Sequence, residues 1–266
     1  MLEHLRLYAR YAATSVRSQL QYRASVLMSI LGNLLLTGVE FFGVWALFDR
    51  FGQLRGWQLA EVALMYGMIN IAFALSEAAG RGFKNFGAMV RSGDFDRILL
   101  RPRGTAFQVG AQQFELERMG RLLQGVAVLA YAVVQLDLLL DGPRLLLLLC
   151  TIAGGTCIFT GLFVVQATVA FWTVESLELF ATVTYGGAET AQYPMSIYRD
   201  GFRRIFTYVI PLAFVSYVPG LAVLGRPERF GPPWLAWASP LVGLGFLLLC
   251  LRVWRIGVRH YRSTGS

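Results

Sequence analysis

Arg81-Gly-Phe-Lys-Asn-Phe-Gly-Ala-Met-Val-Arg-Ser-Gly-Asp-Phe-Asp-Arg-Ile-Leu-Leu-Arg-Pro-Arg103 is the one long polar interval in a chain that is otherwise mostly apolar. It holds Lys84, the single lysine, among arginines, and two long hydrophobic runs flank it, 62–79 before and 121–136 after. Each charge of this kind costs about 2.5–3.5 kcal/mol at the centre of a bilayer, so the stretch has to face water. Its own pattern is helical at first: Phe83, Phe86, Met89 and Val90 recur at three and four, which predicts one apolar face. Ser92-Gly93 then stops that helix, Asp94 and Asp96 stand where carboxylates cap a new first turn, and Pro102 keeps Arg101 out of a helix. The expected shape is helix, sharp turn, short second helix, with Ile98, Leu99 and Leu100 as an apolar grip.

Outward from that stretch, composition fixes the class. Of 266 residues, 56% are hydrophobic and 15% charged, against roughly 25% charged in a soluble domain. This is an all-α polytopic membrane protein. The net charge of +8 comes in blocks beside apolar runs rather than along one face, which speaks for orientation in a membrane and against nucleic acid. Cys150, Cys157 and Cys250 lie inside apolar runs, and His4 and His260 stand at opposite ends. No metal site, catalytic residue or cofactor site is readable. Lys84 follows Phe83, so the chain has no Gly-Lys and hence no phosphate loop of its own.

Residues 1–23 read as an interfacial amphipathic helix, with Leu5, Ala9, Ala12, Val16 and Leu20 in one stripe and arginines off it. Spans are expected at 24–48, 62–79, 121–136, 145–171 and 234–254. Thr151, Gly154, Gly155 and Gly161 are small residues that let helices approach closely. The N-terminal arginines and Arg252, Arg255, Arg259 and Arg262 place both termini in the cytoplasm, with 81–103 on the same side and Arg118 and Arg121 holding the inner end of the third span. One further crossing must lie between 171 and 234. Either 172–192 crosses and 194–225 forms a re-entrant outer hairpin, which Pro211 and Pro219-Gly220 favour, or 203–224 crosses, which Arg199, Arg203 and Arg204 favour.

Arg91-Ser-Gly-Asp-Phe-Asp-Arg-Ile-Leu-Leu-Arg-Pro102, between the second and third spans, resembles a signature of bacterial type-2 ABC transporter permeases. Tyr193-Pro194, Ile210-Pro211-Leu212-Ala213-Phe214 and Pro219-Gly220 look like the tail of the same group. The resemblance implies a permease with six spans in the bacterial plasma membrane. In it 81–103 would be a coupling element docking on a separate ATPase subunit, and 194–225 a re-entrant outer hairpin, which favours the first topology. It further implies a dimer with itself or a homologous permease, export, and ATP and Mg bound by the partner ATPase rather than by this chain. The residues expected to carry coupling are Phe83, Lys84, Phe86, Arg91, Gly93, Asp94, Asp96, Arg97, Leu100 and Pro102. Polar residues within the spans, Glu40, Gln166, Glu178 and Glu189, are candidates for the translocation path because burying them is costly. Glu40 reads as lying toward the outer end, Glu175 as capping near the inner end of the fifth span, and Gly186-Gly187 as loosening the helix before Glu189. A competing reading is a proton-coupled secondary transporter that titrates Glu40, Glu178 or Glu189; a membrane-embedded enzyme has no clustered groups to support it.

Overall fold

A computed structural model describes residues 2–173, 177–226 and 231–261, and every regular element among them is helical. In order these are α1 Leu2–Gln19, α2 Arg23–Phe51, α3 Leu59–Lys84, α4 Phe86–Arg91, α5 Asp94–Leu99, α6 Thr105–Gly110, α7 Met119–Gln135, α8 Gly142–Val169, α9 Leu177–Ala191, α10 Asp200–Arg204, α11 Tyr217–Val223 and α12 Ser239–His260. Among the described residues four helical stretches are long and apolar enough to cross a membrane: Arg6–Phe51, Leu59–Arg91, Gly142–Val169 and Trp234–His260. In the first, α1 and α2 meet through one 3-10 turn, Leu20–Tyr22. A bent pair, Asp200–Val209 with Leu212–Val223, turns through 76° and qualifies when taken together. With 17 and 15 residues, α7 and α9 fall short of the roughly 20 that 30 Å of hydrocarbon asks for.

α3 is mostly apolar and is buried along nearly its whole length, as a central helix must be. α7 packs antiparallel to it, Leu129 lying against Gly67 and Ile71 against Gly125. α8 runs parallel to α3 on another side, joined by Ser76 Oγ and Thr160 Oγ1 at 3.0 Å. α12 in turn runs parallel to α8. A Cβ on Gly154 would stand 2.5 Å from the Ser239 carbonyl oxygen, so that crossing admits glycine alone. α2 lies along α7, with Phe41 and Tyr131 in edge contact at 6.4 Å. Its other side, including Leu27, Met28, Leu35, Leu36 and Val39, is exposed.

At the end of the bundle where α3 starts, Gln58 and Glu61 form a capping box. There Trp57 Nε1 donates to Ser196 Oγ at 3.0 Å and Arg226 pairs with Glu61 at 2.7 Å. Segment 199–226 therefore begins and ends at this one end. Its bend sinks into the bundle, where Leu212 packs on Gly187 of α9 and Val215 on Gly155 of α8. α9 is continuous through Gly186 and Gly187, which corrects the expectation of a loosened helix. Gly187 is small because Leu212 and Phe206 occupy the space that its side chain would fill.

α1 lies against the opposite end of α3. Tyr8 Oη donates to the Ala79 carbonyl at 3.3 Å, and Ser15 and Gln19 bond the backbone of Phe114 and Leu116. The contacts to the bundle are thus made by Tyr8, Ser15 and Gln19. Of the expected apolar stripe, Ala12 and Val16 are half-buried, Ala9 and Leu20 are exposed and the Leu5 side chain lies outside the described residues.

Candidate functional site: an elbow on α3 and a charge cluster behind it

The elbow forms because the chain has two places where a helix cannot continue smoothly. α3 breaks at Asn85, and α4 ends at Ser92-Gly93, where Gly93 adopts φ 75° and so starts α5 from the left-handed region. An L side chain there costs about 1–2 kcal/mol. Asp94 does not cap α5 as expected. Gly93 is the capping residue, while the Asp94 carboxylate accepts from Ser92 Oγ at 2.7 Å and faces Arg97 at 3.8 Å.

Aromatic rings clamp the elbow onto the bundle. Phe86 of α4 and Phe95 of α5, both fully buried, meet edge-on at 5.0 Å. Phe86 lies 4.8 Å from Trp254 of α12 and 5.0 Å from Phe171 just after α8. Phe95 lies 4.9 Å from Tyr261, which follows α12, and Phe83 lies 5.6 Å from Trp254. Pairs of this kind contribute about 0.5–1.5 kcal/mol each beyond their burial. Trp254 Nε1 also donates to Thr105 Oγ1 at 2.9 Å, and Gln108 Nε2 of α6 donates to the Ile98 and Arg103 carbonyls. The elbow is therefore one body with the ends of α3, α8 and α12. Phe95, Phe171, Trp254 and Tyr261 were missed from sequence; the available signal was aromatic residues gathered at the same end of two apolar runs.

Burial and the Asp96 carboxylate beside it push the Tyr261 phenol up from its ordinary value of 10.0. The outward face of the elbow carries Arg91, Asp94, Arg97, Leu100 and Pro102, all exposed, with Asp96 half-buried. The expected grip of three apolar residues reduces to Ile98, since Leu99 is 41% and Leu100 87% exposed. Beside them Asp94, Arg97, Arg101 and Gln113 border an open polar groove of about 420 Å³ between α4 and α5. Lys84 does not share this face, for its Nζ lies over the Tyr185 ring of α9, 5.3 Å from the centroid.

Behind the elbow lies a cluster that sequence reasoning passed over. Glu77 of α3 is 4% exposed. It accepts from Tyr185 Oη at 3.0 Å and lies 3.5 and 3.8 Å from the guanidinium groups of Arg118 and Arg121. Arg118 also holds Glu115 at 2.9 Å, and Glu115 pairs with Arg81. Arg121 reaches Glu40 at 3.6 Å and lies over the Phe73 ring at 5.0 Å. Arg118 and Arg121, at the start of α7, thus point into the bundle and share the buried Glu77. Glu77 carried the same signal as Glu40, an acid within an apolar run.

The four path candidates are not brought together. Glu40 sits just past the middle of α2 and is engaged by Arg121. Gln166 is buried in α8, and its Oε1 has no hydrogen-bond partner among the described residues. Glu189 is exposed near the end of α9. Glu175 and the Glu178 side chain lie outside the described residues.

An all-helical bundle with stretches long enough to cross a membrane, and no group of metal-ligating side chains among the described residues, defines a multi-span membrane protein. The chain belongs to the family described as ABC-2 family transporter protein, whose sequence model matches residues 34–265. It is a membrane permease subunit of ABC transporter type. No curated protein and no solved structure matches the chain.

Proposed function

We propose that this chain is the membrane half of an ATP-driven exporter in the bacterial plasma membrane, with both termini and the elbow in the cytoplasm. The observation that carries the reading is the two-faced elbow. Phe86 and Phe95 are fully buried on one side, and Leu99, Leu100 and Arg97 are exposed on the other. A lever needs a rigid attachment and a free grip. Nucleotide-driven closure of a separate ATPase pair, which holds ATP and Mg, pushes on Leu100, Arg97, Asp94 and Arg91. The push passes through the aromatic clamp to the ends of α3, α8 and α12. α2, with its long exposed apolar side, supplies the contact with a second permease copy or a homologous one, and the translocation path runs between the two. In this reading α2, α3, α7, α8, α9 and α12 are the six crossings. Segment 194–225 enters and leaves at the outer face, supported by the Trp57–Ser196 and Arg226–Glu61 contacts at its two ends.

The test is co-purification with the ATPase subunit in mild detergent. Leu100→Asp removes an apolar contact of about 1.5–3 kcal/mol and is expected to lower ATPase retention at least about tenfold while insertion is unchanged. Full transport by the isolated chain without any nucleotide-hydrolysing companion overturns the proposal.

A further inference from the structure

We infer that the open groove bordered by α1, α3, α6, α8 and α12 is a binding site for one anionic phospholipid of the leaflet on the elbow side. The groove measures about 500 Å³, and Phe83, Ala106, Val164, Leu247 and Leu251 supply its apolar wall.

The distribution of polar groups selects a lipid from among apolar ligands. Tyr8, Thr105 and Arg255 border the groove near the ends of the helices, whereas Leu247 and Val164 lie deeper. From Leu247 to Arg255 along α12 is about 12 Å at 1.5 Å per residue, most of the roughly 15 Å from bilayer surface to midplane. The groove is thus a slot along the bundle axis, apolar inside and polar at its mouth. The one polar lining side chain deeper in, Thr160, is satisfied by the Thr156 carbonyl and by Ser76. At the mouth the Tyr8 and Thr105 hydroxyls bond Ala79 and Trp254. Arg255 is exposed and has no acidic partner among the described residues. Arg252 and Arg259 of the same helix are exposed too. An acyl chain fits the slot, and a phosphate-bearing, negatively charged headgroup fits the arginines. This inference needs membrane insertion alone and is independent of the ATPase reading.

The test uses the full chain in nanodiscs containing phosphatidylglycerol or phosphatidylcholine with a photoactivatable group on one acyl chain, followed by mapping of the cross-linked peptides. Native mass spectrometry in mild detergent counts the lipids retained. The expected result is one phosphatidylglycerol per chain, cross-linked to peptides containing Ala106 or Leu247 and Leu251. Ala106→Phe fills the slot and is expected to lower cross-linking about tenfold, the weight of roughly two buried methylenes. Arg255→Gln is expected to lower the preference for phosphatidylglycerol over phosphatidylcholine about fivefold, the weight of one basic side chain at an anionic surface. Arg255→Gln changes an exposed side chain, so the test stands even where Ala106→Phe does not fold. Cross-links that fall elsewhere, that persist in Ala106→Phe, or that are equal for the two lipids in the wild-type chain overturn the inference.

Discussion

At the scale of the single residue, Glu77 is the most exacting position in the bundle. Two arginines and a tyrosine converge on one carboxylate that is nearly out of reach of solvent. Removing one partner from such an arrangement leaves buried charge uncompensated, at about 3–5 kcal/mol. Glu77→Ala is therefore expected to lower the thermal midpoint in detergent sharply. Glu40→Ala removes an acid whose one ion pair is with Arg121 and should lower the midpoint less than Glu77→Ala does. Equal effects would show that Arg121 leans on Glu40 as much as on Glu77. A second residue-scale prediction concerns alkaline pH. The Tyr261 phenol is held above its ordinary value of 10.0 by burial first and by Asp96 second. A raised value in the folded state means that this contribution is complete below pH 10 and is lost as pH rises through the raised value. The stability of Tyr261→Phe should therefore fall less than that of the wild-type chain on going from pH 9 to beyond pH 10, read from thermal midpoints across that range.

At the scale of the element, parallel packing of α8 on α12 depends on absent side chains. Gly243 of α12 lies so close to the Gly154 backbone that a Cβ there has no room, whereas Gly245 of the same helix has nothing within 4 Å of such an atom. Gly243→Val should destabilise the protein by about 1–3 kcal/mol or more through overpacking. Gly245→Val should leave the melting midpoint close to that of wild type. The elbow is governed by a different property of glycine. Gly93→Val forces a β-branched residue into φ 75°, so α5 should swing away and transport-coupled ATPase activity should fall with insertion intact. Unchanged coupling in this variant would remove α5 from the mechanism.

At the scale of the whole molecule, the question is which side of the membrane each end occupies. In a chain with Cys150, Cys157 and Cys250 replaced by alanine, Asp200→Cys is expected to react with an impermeant maleimide in intact cells. Ser92→Cys should react only after permeabilisation. Labelling of position 200 from inside alone would make 203–224 the crossing and place α9 on the cytoplasmic side. The limits of sequence reading follow the same scale. An apolar run of 20 residues announces itself, and so does a polar interval that cannot enter hydrocarbon, because each is a sum over neighbours in the chain. Whether Leu100 is buried or free, or whether Arg121 faces water or Glu77, depends on residues that are far away in sequence.

The sequence by itself determined that the chain is helical and membrane-embedded, that it carries a charged elbow after its second apolar run, and to which family it belongs. Composition, spacing and a short motif are local quantities. Only the tertiary structure decided that Phe86 and Phe95 bind to Phe171, Trp254 and Tyr261, and that Glu77 is the hub of a buried charge cluster. These are contacts between segments separated by many tens of residues. Their energies depend on distance and exposure, quantities that acquire values once the helices have packed.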